Sequence, residues 1–97
     1  MKRFPFGLYR VAGDSMLPTY RPGDLLLGAR WLRPRVGRTV VVLLGDLPII
    51  KRVVRRERGG YWVEGDNVVA STDSRSFGVV PTGAIEAVII ARLACGR

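Results

Sequence analysis

The sequence predicts a mostly β protein, a small curled antiparallel sheet that is barrel-like and has at most one short helical turn. The apolar segments are short, Gly, Pro and Asp separate them, and no long helical segment is visible. A chain of 97 residues can close one hydrophobic core but not two. We therefore expect a single domain over residues 1–97.

Six segments are predicted as strands, because each is a short apolar run that ends at turn-forming residues. They cover residues 6–11, 24–30, 39–44, 49–58, 61–64 and 84–93. Residues 45–48 and Gly59-Gly60 are predicted as the turns on either side of the fourth strand. Residues 16–20 could form one helical turn, and residues 65–78 are predicted to be polar and irregular. A flat sheet would expose its edges, so these strands predict a sheet that curls on itself.

The residue inventory excludes several kinds of site. With no His and with Cys95 as its one cysteine, the chain cannot build an internal disulfide, a Cys/His dyad or a zinc site of His and Cys ligands. We expect no metal and no cofactor. Apolar runs such as 40–44 are far shorter than the roughly 20 residues of a membrane-spanning helix, so no transmembrane anchor is expected. The basic start lacks the apolar core of a secretory signal, which favours a cytoplasmic location.

The formal net charge of +8 raises the possibility of a nucleic-acid partner. The cations are spread along the chain, and the aromatic residues that could stack on bases are scattered in sequence: Trp31, Tyr61, Trp62 and Phe77. A basic β-barrel that binds nucleic acid therefore stays as the non-catalytic alternative, with no obligatory nucleic acid expected. Of the 16 cations, 14 are Arg, which cannot lose a proton, and only two are Lys.

Lys51 stands between apolar residues in the fourth predicted strand. Side chains alternate across a strand, so Ile49, Lys51 and Val53 share one face. If that face points inward, loss of hydration lowers the pKa of the amine, and a fall of about 3 units would make it a base near neutral pH. The alternative is an edge lysine whose ammonium reaches water.

Ser15 follows the first predicted strand and precedes the possible helical turn. In that place its hydroxyl and its own backbone N–H can face a common point, which a nucleophile and an oxyanion donor require. Taken alone, a plain helix N-cap explains these residues better, because Ser and Asp are both favoured there.

Five short boxes occur along the chain in a fixed order. They are Ser15-Met16-Leu17-Pro18-Thr19, Gly23-Asp24, Lys51-Arg52-Val53, Gly65-Asp66-Asn67, and Ser71-Thr72-Asp73-Ser74-Arg75 with Gly78-Val79-Val80-Pro81. In this order they resemble the signal peptidase I family of serine proteases, over about residues 8–93. Any one box would be weak, but five in order make a strong case.

The resemblance implies a role for five residues. Ser15 would be the nucleophile and Lys51 its general base. Ser71 would hydrogen-bond and orient the lysine amine, and Asp73 with Arg75 would form an ion pair that braces the loop. A polar turn that stabilises itself through local hydrogen bonds is the alternative for the last three.

The resemblance also implies how a substrate would bind. An extended peptide would lie against the edges near residues 8–12 and 48–50, a β-augmentation mode, with small residues just before the cleaved bond. The oxyanion hole would include the Ser15 N–H, but Gly13 stands where some relatives have a second, hydroxyl donor. The residues expected to contact substrate are Tyr9, Val11, Gly13, Met16 and Ile50.

Only 14 residues precede Ser15, whereas signal peptidases normally carry an anchoring helix there. A core of this kind resembles the nickel-type superoxide dismutase maturation proteases. That implies a precursor protein as substrate, the nickel superoxide dismutase precursor, from which a short N-terminal extension is removed; the nickel would belong to the substrate. General signal-peptidase-like processing is the alternative. A self-cleaving repressor-type domain shares the chemistry but needs a cleavable arm and usually a DNA-reading module.

Overall fold

Seven strands form one antiparallel sheet in the computed structural model, which describes residues 4–96. They are β1 (Phe6–Arg10), β2 (Leu25–Ala29), β3 (Thr39–Leu44), β4 (Leu47–Glu57), β5 (Gly60–Glu64), β6 (Val80–Pro81) and β7 (Ile85–Ala94). Their order in the sheet is β1-β2-β7-β3-β4-β5-β6. The predicted antiparallel sheet is confirmed, but it is not closed into a barrel. Residues 1–3 and 97 of the predicted domain lie outside the described residues.

The core lies on both faces of the sheet, because β3 is central and buried on each side. Val40, Val41 and Val42 are all fully buried. Successive side chains of a strand point to opposite faces, so Val40 packs with Val53 on one face and Val41 with Leu26 on the other. A run of consecutive valines is typical of a strand that is covered on both faces.

All six predicted strands are present, with ends within two residues of the prediction. The seventh strand, β6, is only two residues long and was not predicted. The turn predicted over residues 45–48 is shorter in the structure, because Leu47 pairs with Leu44 and already belongs to β4. Gly45 has a positive φ of 61°, which suits the two-residue turn that remains.

The predicted helical turn is at the wrong place. Residues 16–20 form hydrogen-bonded turns without a helix, because Leu17 precedes Pro18 and the residue before a proline is disfavoured in the helical conformation. The short helix α1 (Ser74–Phe77) lies instead in the segment predicted to be irregular, and the Asp73 side chain caps it by accepting from the Arg75 N–H. Single 3₁₀ turns occupy Val68–Ala70 and Thr82–Ala84. Within residues 4–96, no helix is long and apolar enough to cross a bilayer.

Two strand edges are left unpaired on the side where β1 and β4 approach each other. β1 pairs only with β2 among the described strands. β4 pairs with β3 from Leu47 to Arg52, but its ladder with β5 begins only at Arg52. Residues 47–51 therefore keep one free edge.

We expect Gly60→Ala to destabilise the fold, because this glycine leaves the space in which β5 meets β6. A Cβ atom there would lie 1.8 Å from the Val80 carbonyl oxygen. The two strands must separate, at a cost of about 1–3 kcal/mol in the free energy of unfolding measured in urea. Gly83→Ala is the matched control, since its Cβ would meet no atom within 4 Å. Equal stability of the two variants would contradict this account.

Candidate active site

Ser15 lies in the turn that leaves β1. The Leu17 N–H donates to the Asp14 carbonyl oxygen at 3.1 Å, and the Tyr20 N–H donates to that of Met16 at 3.0 Å. The side chain of Met16 is only 1% exposed and anchors the turn in the core. Ser15 itself is half-buried, so its hydroxyl sits on a fixed turn at the protein surface.

Lys51 points into the protein from the middle of β4. The residue is 4% exposed and lies directly opposite the fully buried Val40 of β3. Its neighbours on the same face, Ile49 and Val53, belong to the apolar cluster of that face. The structure thus favours the inward-facing lysine over the edge lysine that reaches water.

Burial lowers the pKa of the Lys51 amine below its ordinary value of 10.5. The negative charge of Asp73 opposes this effect, and the positive charge of Arg75 adds to it. Asp73 and Arg75 form an ion pair with each other, so their effects on Lys51 largely cancel and burial decides the direction. Among residues 4–96, no carboxylate is in ion-pair contact with Lys51.

Ser15 and Lys51 line one cleft of about 350 Å³. Four of the five residues predicted to contact substrate line the same cleft: Val11, Gly13, Met16 and Ile50. The fifth, Tyr9, lines an adjoining pocket of about 150 Å³ that shares Arg10, Pro48 and Ile50 with the cleft. Within the described chain, the Ser15 hydroxyl and the Lys51 amine make no direct hydrogen bond. Catalytic hydrogen bonds are often long before substrate binds and tighten in the complex.

Asp73 organises the loop that carries the other predicted residues. Its fully buried carboxylate accepts hydrogen bonds from Arg75 Nη2 at 2.6 Å and Nε at 2.9 Å, which gives the predicted ion pair. It also accepts from the Gly65 N–H at 2.8 Å and from Ser71 Oγ at 2.6 Å. Burial alone would raise the pKa of this carboxyl, but these donors hold it well below its usual range.

The predicted hydrogen bond between Ser71 and Lys51 is not formed between these two described residues. The Ser71 hydroxyl donates to Asp73 instead and accepts from the Gly65 N–H at 3.2 Å. The physical reason is that an ionised carboxylate is a stronger acceptor than a neutral amine. Ser71 is therefore linked to Lys51 only indirectly, through the charge of Asp73.

Gly65 is the point at which the Ser15 turn, residues 14–20, meets the loop that carries Ser71. A Cβ atom on Gly65 would lie 2.3 Å from Ser71 Oγ and 2.6 Å from the Ser15 carbonyl oxygen. No other residue type fits there without moving one of the two loops. The absence of a side chain thus permits the approach of Ser15 to the Ser71 loop.

No individual role is predicted from the sequence for Asp66, Asn67, Arg52 or Thr19. Asp66 accepts two hydrogen bonds from Arg52, at 2.8 and 2.7 Å, and one from Thr19 Oγ1 at 2.5 Å. Asn67 donates two hydrogen bonds to the Ser15 turn, from its backbone N–H to the Ser15 carbonyl and from its side-chain Nδ2 to the Asp14 carbonyl. The sequence signal for Asp66 and Asn67 is the Gly65-Asp66-Asn67 box itself, but their hydrogen-bond partners lie far away in the sequence. Ala70 and Thr72, which wall the cleft, were also not singled out.

No cluster of metal ligands accompanies the site. Within residues 4–96, no three His, Cys, Asp or Glu side chains are grouped so that they could hold a metal ion. The ionisable and hydroxyl side chains that line the cleft are those of Arg10, Asp14, Ser15, Lys51 and Thr72.

An antiparallel sheet that presents a serine and a buried lysine in one cleft defines the class of serine peptidases with a Ser/Lys pair. The chain belongs to the Peptidase S24-like family, whose pattern matches residues 4–76. The predicted kinship with signal-peptidase-like serine proteases is confirmed at this level.

Three relatives show the same kinship. The chain is 31% identical to the mitochondrial ATP-independent inner membrane protease subunit 1a of Arabidopsis thaliana, over 94% of this chain and 72% of that protein. It is 33% identical to the mitochondrial inner membrane protease subunit 1 of Xenopus tropicalis, over 84% of this chain and 65% of that protein. It is 44% identical to the signal peptidase complex catalytic subunit SEC11 of Leptosphaeria maculans, over 62% of this chain and 39% of that protein. None of these three is named for nickel superoxide dismutase.

We expect Lys51→Met to stabilise the protein at neutral pH, by about 1 kcal/mol or more, because it replaces a buried ionisable group with an apolar one of similar length. The folded pKa of Lys51 lies below the unfolded value of 10.5, so the unfolded chain binds the extra proton between these two values. Stability of the wild type therefore rises with pH through that window, and the advantage of the variant disappears above it. Urea unfolding at several pH values measures both effects. A variant less stable than the wild type at pH 7 would contradict the buried-amine account.

Proposed function

We propose that this protein is an endopeptidase that removes an N-terminal extension from a precursor protein, with Ser15 as nucleophile and Lys51 as general base. The observation that carries the proposal is the buried lysine, free of carboxylate partners in the described chain, that lines the same cleft as Ser15. A lysine of this kind can be neutral at a pH where an exposed lysine is charged. The inventory of the chain offers no His to act as an alternative base.

The reaction would proceed by acyl transfer. The neutral Lys51 amine takes the proton from the Ser15 hydroxyl while Oγ attacks the peptide carbonyl carbon, and a tetrahedral oxyanion forms. The ammonium then gives its proton to the leaving amine as the C–N bond breaks, which leaves the acyl-enzyme. The same amine, neutral again, takes a proton from water as the water oxygen attacks the ester carbonyl. The ammonium then returns this proton to Ser15 Oγ as the acyl C–O bond breaks, which releases the product acid and restores Ser15 and the neutral Lys51.

The proposed oxyanion donor is the backbone N–H of Ser15. Within residues 4–96, this N–H has no acceptor in the protein, and its residue lines the cleft. Gly13 supplies no hydroxyl two residues before the nucleophile, so the single N–H carries more of the stabilisation than it would beside a second donor.

The substrate would bind as an added strand. The free edge of residues 47–51 in β4 and the free edge of β1 both border the cleft region. A peptide with an extended backbone can hydrogen-bond to such edges, while its side chains enter pockets on alternate faces. The cleft and the adjoining pocket are small, which supports the expected preference for small residues before the cleaved bond.

The particular substrate that we propose is the nickel superoxide dismutase precursor. Its support is the resemblance of residues 13–19 and 70–75 to the nickel-type superoxide dismutase maturation proteases. General signal-peptidase-like processing is the second candidate, and the names of the relatives favour it.

The cytoplasmic location expected from the sequence stays a prediction, which cell fractionation would test.

Incubation with two precursors separates these candidates. We expect the wild type to remove the extension of a nickel dismutase precursor and to leave an unrelated secretory precursor intact, as read from product termini by mass spectrometry. Ser15→Ala and Lys51→Met should each lower turnover by about 10³-fold or more while keeping the fold. Cleavage of the secretory precursor alone would reject the dismutase substrate. Retained turnover in Ser15→Ala would reject the proposed nucleophile.

The pH dependence of kcat/KM tests the proposed base. Activity should rise with pH to a plateau, with a midpoint below 10.5, because only the neutral amine accepts a proton. Asp73→Asn removes a charge that raises the pKa of Lys51, so its midpoint should move down. Arg75→Gln removes a charge that lowers this pKa, so its midpoint should move up. Shifts in the same direction for both variants, with folding confirmed by circular dichroism, would contradict Lys51 as the titrating group.

A further inference from the structure

Asn67 donates hydrogen bonds to two consecutive carbonyl groups of the Ser15 turn, those of Asp14 and Ser15. Its backbone N–H donates to the Ser15 carbonyl oxygen at 2.8 Å, and its side-chain Nδ2 donates to the Asp14 carbonyl oxygen at 3.1 Å. The side-chain bond joins residues that are 53 positions apart, so it belongs to the tertiary structure and not to the local turn. No role for this side chain follows from the proposed chemistry of Ser15 and Lys51.

The Asp14 carbonyl and the Ser15 N–H belong to the same peptide unit. The unit is trans, since the one cis bond in the described chain joins Leu17 and Pro18. In a planar trans peptide the C=O and the N–H point in opposite directions. A group that fixes the direction of the Asp14 carbonyl therefore also fixes the direction of the Ser15 N–H.

We propose that Asn67 is a positioning residue that directs the Ser15 N–H at the oxyanion of the tetrahedral intermediate. This inference rests on the proposed function, in which Ser15 is the nucleophile and its own N–H is an oxyanion donor. Nδ2 of Asn67 draws the Asp14 carbonyl to one side, and the opposed N–H is left without a protein acceptor among residues 4–96. A hydrogen bond accepted by the carbonyl also polarises the amide and strengthens its N–H as a donor.

The neighbouring residues of the same box do not share this role. Both carboxylate oxygens of Asp66 are engaged by Arg52, and one of them also by Thr19. Gly65 leaves the space in which the Ser15 carbonyl lies, and its N–H donates to Ser71 and Asp73 and not to the Asp14–Ser15 peptide unit. The Asn67 side chain is thus the one group of the box that contacts the peptide unit carrying the proposed oxyanion donor.

Asn67→Asp tests the role with little change of shape, because the carboxylate keeps the size of the amide and loses its donor. The backbone bond from residue 67 to the Ser15 carbonyl is kept in every variant. We expect kcat to fall by about 10- to 100-fold, as for a misdirected catalytic group, with KM changed less than about twofold. The midpoint of the pH profile is compared in Asn67→Ala, where it should stay unchanged because this variant places no new charge near Lys51. Asn67→Ala, which adds no charge, should change kcat in the same direction.

A pair of binding measurements separates positioning from a general structural role. A boronate analogue of the peptide that the wild type cleaves forms a tetrahedral adduct with the nucleophile, whereas an uncleavable version of the peptide does not. Asn67→Asp should weaken the boronate by about the same factor as it lowers kcat and leave the uncleavable peptide unaffected. Glu57→Gln is the control, because it removes one charge of the Arg55–Glu57 ion pair, whose residues do not line the cleft; its kcat should equal that of the wild type.

The outcomes separate the role of Asn67 from the proposed function on which it rests. An active wild type together with a folded Asn67→Asp variant of equal kcat and equal boronate affinity overturns the role of Asn67 alone. Equal weakening of both peptides also overturns it, since it shows a structural effect. A wild type whose hydrolysis survives Ser15→Ala refutes the proposed function, and the role of Asn67 with it.

Discussion

The removal of water from the Lys51 amine is the constraint on which the rest of the site depends. A neutral lysine needs apolar surroundings and also needs to avoid an ion pair, because a carboxylate contact would raise its pKa again. In the described chain, arginines pair with five of the eight acidic side chains: Asp24 with Arg92, Glu57 with Arg55, Asp66 with Arg52, Asp73 with Arg75 and Glu86 with Arg30. The carboxylate whose charge raises the pKa of Lys51, that of Asp73, is already compensated by Arg75. The many arginines and the few lysines of the sequence are thus part of one electrostatic arrangement.

The geometry of the site depends on a different element, the segment of residues 65–67 that follows β5. Through Asp66 it binds Arg52, the residue next to Lys51, and Thr19, which lies near the end of the Ser15 turn. Through Asn67 it binds the peptide units on either side of Ser15. Each hydrogen bond contributes only about 1 kcal/mol to stability. Together they fix the position of a turn relative to a strand whose residues are more than 30 positions away in sequence, and catalysis needs that position to be accurate.

The strands, and the residues that share a face with Lys51, could be predicted from the sequence because both follow from local patterns of side chains. Whether that face points inward could not, because burial depends on which strands and turns pack against it. The position of the helix could not, since Pro18 and the capping side chain of Asp73 outweighed the general pattern of polar and apolar residues. The boxes led to Ser15, Lys51 and the Asp73–Arg75 ion pair. The actual partner of Ser71 was missed because it depends on which acceptor comes closer in three dimensions, the Asp73 carboxylate or the lysine amine. The contacts of Asn67 were missed for the same reason.

The sheet is open at the edge of β4, the strand that carries Lys51. β4 is 11 residues long, but β5 covers only the part from Arg52 onward, so the strand that carries Lys51 offers a free edge where the cleft lies. A further protein strand there would satisfy the free backbone groups and would also occupy the place of a peptide substrate. An unpaired edge is exposed to association with other chains, and Pro48 limits this risk because it lacks an N–H. The backbone groups that a closed barrel would use for its own stability are left available for a substrate, and the buried lysine lies beside them.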